Sequence, residues 1–143
     1  MKNIVAILLL SIAFFVTTSC NTANQSATEK SQTSVNAPKL LSVAQFAQQL
    51  ANTPNAVLID LRTAEEIAQT GKIENATMID FNGANFEAEL AKLDKSKPTM
   101  VYCARGGRSG QAAKKMVDMG FSNVSDLDGG MMAWQGNGMQ TVK

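Results

Sequence analysis

From residue 40 onward the apolar positions follow two spacings, one that suits helices and one that suits buried strands. Ser42 followed by Gln45 is a capping-box pattern, and Val43, Phe46, Ala47 and Leu50 fall on one face of the helix it opens. Residues 52–55 break that helix, and Ala56-Val57-Leu58-Ile59-Asp60 reads as a buried strand. Thr63 and Glu66 form a second capping box, so a helix starts just after Arg62, and Gly71 suits its end. Thr77-Met78-Ile79 is a weaker strand, and Phe86, Leu90 and Leu93 mark a helix that stops before Lys97-Pro98. Thr99-Met100-Val101-Tyr102 is a strand delivering Cys103. Ala112, Ala113, Met116 and Val117 line a helix that stops at Gly120. Val124 to Leu127 is a last strand, and Met131 to Trp134 suit a short closing helix. Strands alternating with helices predict an α/β domain, with a central parallel sheet of about five strands covered by helices on both faces. In such sheets ligands bind outside the carboxyl ends of the strands, which places Asp60 and Cys103 on one rim.

The first 38 residues follow neither spacing. Lys2 is a positive start, residues 4–16 are apolar except for Ser11, and Thr17, Thr18 and Ser19 lead into Cys20. We read residues 1–19 as an export signal of the lipoprotein type, with Cys20 as the first mature residue and the site of lipidation. Thr17 departs from the usual ending, where Leu or a similar residue stands. Residues 20–38 are rich in Ser, Thr, Asn, Gln and Ala and cannot bury enough apolar surface to offset their ordering entropy. They read as a flexible tether to a domain spanning residues 39–143. The expected location is therefore the periplasmic side of a bacterial envelope, with the protein lipid-anchored to a membrane.

Composition removes several chemistries. The 143 residues include no histidine, which excludes Ser-His-Asp and Cys-His catalysis and His-based metal sites. Two cysteines cannot build a four-cysteine zinc site, so no metal and no cofactor are expected. A formal net charge of +1 gives no reason to expect nucleic acid. The methionines at helical positions, Met116, Met119, Met131 and Met132, are expected to fill the core.

The chemistry concentrates in Cys103-Ala104-Arg105-Gly106-Gly107-Arg108-Ser109, which runs from a strand into a helix. A thiolate needs stabilising charge at neutral pH, and without histidine that must come from backbone and arginine. Gly106 and Gly107 can turn successive N–H groups towards one point, and the next helix aims its positive end there. Arg105 and Arg108 add full charges. A thiol walled off from solvent would count against this reading.

The pattern resembles the single-domain rhodanese (sulfurtransferase) family over roughly Leu40 to Trp134. The matching blocks are Val57 to Arg62 with Glu66, Gly71 to Ala76, the loop Cys103 to Ser109, and Gly129-Gly130 with Trp134. Lys72, Glu74 and Asn75 depart from the family's His, Pro and Gly, which puts the local turn in question. The resemblance implies a rhodanese-like three-layer fold and transfer of sulfane sulfur through a persulfide on Cys103. It implies a donor such as thiosulfate and a thiophilic acceptor, cyanide in an assay or a thiol in the cell. Residues Ala104 to Ser109 would hold the substrate, Arg105 and Arg108 would attract the anionic donor, and Asp60 and Arg62 would support the loop. A monomer is expected.

Three other classes compete. A cysteine-dependent phosphatase or arsenate reductase resembles Cys-x5-Arg, whereas this loop is Cys-x4-Arg, one residue shorter. A non-catalytic sulfur-carrier or binding module would not require Cys103. A thiol-redox protein would have to pair Cys103 between molecules, since no Cys-x-x-Cys is present.

Overall fold

The computed structural model describes residues 37–143. The signal, Cys20 and the tether up to residue 36 lie outside the described residues. The element order is β1 (Lys39–Leu41), α1 (Val43–Asn52), β2 (Val57–Asp60), α2 (Ala64–Thr70), β3 (Thr77–Met78), α3 (Phe86–Ala91), β4 (Thr99–Tyr102), α4 (Gly107–Asp118), β5 (Val124–Leu127) and α5 (Gly130–Gly136). The five strands form one sheet in the order β1-β5-β4-β2-β3, and every pairing is parallel. No helix among the described residues is long and apolar enough to cross a membrane.

Alternation along the strands divides the interior into two layers. Ile59 and Val101 face a cluster with Leu90, Ala112, Ala113, Met116 and Phe121, under α3 and α4. Leu58, Met100, Tyr102 and Leu127 face the other cluster with Phe46, Met131 and Trp134, under α1 and α5. Period-2 alternation is what a strand buried on both faces produces. The expected parallel sheet with helices on both sides is therefore the observed architecture.

The local signals behind the helix starts are realised. Ser42 accepts from the Gln45 N–H while the Gln45 side chain accepts from the Ser42 N–H, and Thr63 and Glu66 do the same for α2. Gly71, at φ +75°, ends α2. The element the periodicity did not mark is β1. It has three residues, and Leu40 is 63% exposed, so only its pairing with Ser125–Leu127 makes it a strand.

The departures at 72–75 leave the turn intact. Asn75 takes φ +62°, the left-handed conformation that Asn tolerates better than other side-chain-bearing residues. Lys72 donates from Nζ to the Ala76 carbonyl at 2.7 Å and forms an antiparallel bridge with Val142. Met116 and Met131 are core residues as expected, and Met119 packs at the core's margin. Met132 is not in the core: it is 64% exposed, because it lies on the outward side of the short helix α5.

Candidate active site

The sheet register carries two distant segments to one rim. Asp60 pairs with Tyr102 at the carboxyl ends of β2 and β4, and Cys103 follows at once. On the next strand Asp126 pairs with Val101. Beyond Tyr102 the chain curls through residues 103–106 and enters α4. Gly106 takes φ +92° there, a conformation suited to glycine.

That curl turns donors onto the sulfur. The Gly106 N–H donates to Cys103 Sγ at 3.1 Å, and the Ser109 hydroxyl lies 3.5 Å from it. Burial opposes ionisation of the thiol. The Ser109 hydroxyl and the N–H groups of Ser109, Arg105 and Gly106 outweigh it and bring the thiol below its ordinary value. Cys103 is 1% exposed, so the sulfur lies on the floor of the loop, screened from open solvent. The sequence reading expected a thiol open to solvent; the structure encloses it, and the loop donors bring its pKa down nonetheless.

The two arginines of the loop have separate situations. Arg108 forms a bidentate pair with Glu66 of α2, at 2.8 Å from Nη1 and 2.6 Å from Nη2. The Arg108 bonds hold the Glu66 carboxyl well below the usual range, at about 2. Glu66 also accepts from the Thr63 N–H, so one carboxylate both caps α2 and ties it to the loop. Arg105 is exposed and makes no ion pair among the described residues. Arg108 is thus engaged by Glu66 and its charge is favoured by Cys103 as well, whereas Arg105 is the loop cation without an ion pair among the described residues. Glu66 was marked in the sequence as a cap, but its partner lies 42 residues away and no local pattern joins them.

Asp60 and Arg62 form a buried pair, 0% and 2% exposed. Arg62 donates from Nε to Asp60 Oδ1 at 2.9 Å and from Nη2 to Oδ2 at 2.6 Å. It also reaches Thr70 Oγ1 and the Gly71 carbonyl, each at 2.7 Å, and its guanidinium lies 5.8 Å from the centre of the Tyr102 ring. Tyr102 in turn accepts from the Ile73 N–H at 3.0 Å. The pair thus fastens the end of α2 to the strands that carry the loop. Its hydrogen bonds do not touch residues 103–109.

The loop rests on α5. The Met131 and Met132 N–H groups donate to the carbonyls of Cys103 and Ala104 at 2.8 and 3.0 Å. Gly130, at φ +58°, allows this approach. A cavity of about 310 Å³ opens beside the loop, with Arg105 and Ala104 on one side, Gln69 and Thr70 of α2 on another, and Met132 and Gln135 of α5 on a third. Cys103 does not itself line it.

An open parallel sheet that delivers a cysteine into a ring of N–H donors defines an α/β enzyme of the cysteine-loop type. Residues 42–137 match the model of the rhodanese-like domain, and the chain belongs to that family. It is 33% identical over 97 residues to a sulfurtransferase of Allochromatium vinosum, covering 68% of this chain and 88% of the relative. It is 38% identical over 81 residues to the thiosulfate sulfurtransferase GlpE of Pseudomonas savastanoi pv. phaseolicola, covering 56% and 73%. The polysulfide-sulfur transferase homodimer of Wolinella succinogenes superposes with a TM-score of 0.64 at 29% identity, covering 73% of this chain and 78% of that one. The protein is a rhodanese-type sulfurtransferase.

Proposed function

We propose that the enzyme moves sulfane sulfur from a small anionic donor, thiosulfate or a close analogue, to a thiophilic acceptor through a persulfide on Cys103. The observation that carries this is the Cys103 thiol, held below its ordinary pKa by loop N–H groups and the Ser109 hydroxyl in spite of its burial. The Cys103 thiolate attacks the outer sulfur of thiosulfate. A Cys–S bond forms, the donor's S–S bond breaks, and sulfite leaves with the bonding pair. An acceptor thiolate, or cyanide in an assay, then attacks the outer sulfur of the persulfide, and Cys103 departs as thiolate. The donors that hold one anionic sulfur serve the other equally. Ala104, Arg105, Gly106, Gly107, Arg108 and Ser109 form the substrate loop, with Arg105 drawing the anion into the adjoining cavity and Asp60 and Arg62 supporting the loop only through the strands that carry it. Relatives named for thiosulfate and polysulfide sulfur support the donor class.

Because Cys103 is 1% exposed, the donor reaches Sγ only when the loop wall yields. The protein acts as a monomer, without metal or cofactor, on the periplasmic side of a bacterial envelope, where a lipid on Cys20 holds it at the membrane. Mass spectrometry after thiosulfate treatment tests the central step. An added sulfur atom on Cys103, absent in Cys103→Ser, supports it. An unmodified Cys103 together with hydrolysis of an aryl phosphate would replace sulfur transfer with phosphatase chemistry.

A further inference from the structure

The cavity beside the loop is furnished beyond what an inorganic donor can use. Of the four large apolar side chains that stand well exposed among the described residues, Leu40, Met78, Met132 and Val142, Met132 alone lines this cavity. It is 64% exposed, and a thioether open to water contributes nothing to the core. Its main chain is nonetheless fixed: the Met132 N–H donates to the Ala104 carbonyl at 3.0 Å, one residue past Cys103. The side chain therefore stands at a set place beside the loop, on a flexible stem that adapts to what it meets.

The charges around it narrow what that is. Arg62 lines the same cavity but is held by Asp60, and Glu66 lines it but is held by Arg108. Arg105 remains as the lining cation without an ion pair among the described residues. Gln69 and Gln135 are neutral amides, and the Gln135 amide donates to the Thr70 carbonyl at 3.0 Å. The cavity thus offers one open cation and one open thioether. At about 310 Å³ it lies at the small end of the range for organic ligands. Thiosulfate can use the cation but has no carbon to lay on Met132. The second half of the reaction brings a different molecule to the same loop, and for that molecule an apolar wall has a purpose.

We propose that Met132 is a specificity-determining residue for the acceptor: together with Arg105 it selects small thiols that carry both an anionic group, set on Arg105, and an apolar substituent, set on Met132. The proposal rests on Cys103 being the persulfide-forming nucleophile. In the step it governs, the acceptor thiolate attacks the outer sulfur of Cys103–S–SH. A bond forms between those two sulfurs, the bond from Cys103 Sγ breaks, and Cys103 leaves as thiolate with the bonding pair. The proton stays on the transferred sulfur, so the product is the acceptor's own persulfide. Contact with Met132 removes apolar surface from water on both molecules, which favours acceptors that have the substituent over those that lack it.

The test loads the full chain with thiosulfate and measures discharge of the persulfide by two acceptors, 3-mercaptopropionate and 2-benzyl-3-mercaptopropionate. They share the thiol and the carboxylate and differ by one benzyl group. Mass spectrometry follows loss of the added sulfur from Cys103. At equal subsaturating concentrations the wild type should discharge to the benzyl acceptor about tenfold faster. In Met132→Ser that preference should fall to about twofold or less, and in Met132→Leu, which keeps an apolar side chain, it should return. The preference is a ratio between two acceptors on one enzyme, so a variant that merely disturbs the loop lowers both rates and leaves the ratio unchanged. Replacing the carboxylate of the benzyl acceptor by a carboxamide should cost about tenfold in the wild type and less in Arg105→Gln. A wild type without preference, a preference that survives Met132→Ser, or a carboxamide that reacts as fast as the carboxylate overturns the proposal. Failure of the wild type to form any persulfide defeats sulfur transfer itself, and this proposal with it. A persulfide that forms and discharges without preference defeats this proposal alone, so the two failures are distinguishable.

Discussion

Gly130 and Cys103 meet backbone to backbone: a Cβ at position 130 would stand 2.4 Å from the Cys103 carbonyl oxygen and 2.9 Å from the Arg105 nitrogen. The start of α5 is pressed onto the loop, and the Met131 N–H fixes the same carbonyl. Gly130→Ala should therefore lower stability by about 3 kcal/mol, from a main-chain collision added to a left-handed φ. Urea unfolding measures this. The surviving folded fraction should form persulfide more slowly, since the carbonyl that anchors the loop must shift.

The separate situations of the two loop arginines lead to unequal salt dependence. Arg105→Ala should raise KM for thiosulfate about tenfold at low ionic strength and less at high, because an exposed cation acts through a screened field. Arg108→Ala should show little salt dependence in KM, its charge being already balanced by Glu66 at 2.6 Å. Steady-state kinetics at two salt concentrations decides it. A stronger salt response in Arg108→Ala than in Arg105→Ala would reverse the assignment.

The Glu66–Arg108 pair gives a pH signature in acid. The Glu66 carboxyl titrates at about 2 in the fold, against about 4.3 in an unfolded chain. A depressed carboxyl contributes stability that is fully present above the unfolded value. That stability is lost as pH falls through the folded one. Glu66→Gln should thus flatten the decline in stability between about pH 4 and about pH 2, and cost about 1 kcal/mol at neutral pH, the pair being only partly buried. Thermal unfolding across that range provides the comparison.

The parts of this protein that could be read from its sequence are those whose signals are local. Both capping boxes lie within four residues, and the alternation in Thr99 to Tyr102 follows from burial on both faces. The loop was readable because strand, cysteine, glycines and arginines are contiguous. The strand β1 was not, because its three residues are defined by a partner 86 positions later. Neither was the engagement of Arg108, since Glu66 looks like an ordinary helix cap until α2 is laid beside the loop. Asp126 was read simply as part of a strand. Its burial arises only where β5 is enclosed between β4 and β1 and covered by α4.

All five strands run the same way, and β1 is one of them. The backbone therefore comes into the sheet at the pole opposite the sulfur and finishes each strand at the reactive rim. Residues 37 and 38, the first described, thus lie at the far pole from the thiol, and the rim that must admit small solutes is the one at which the strands end.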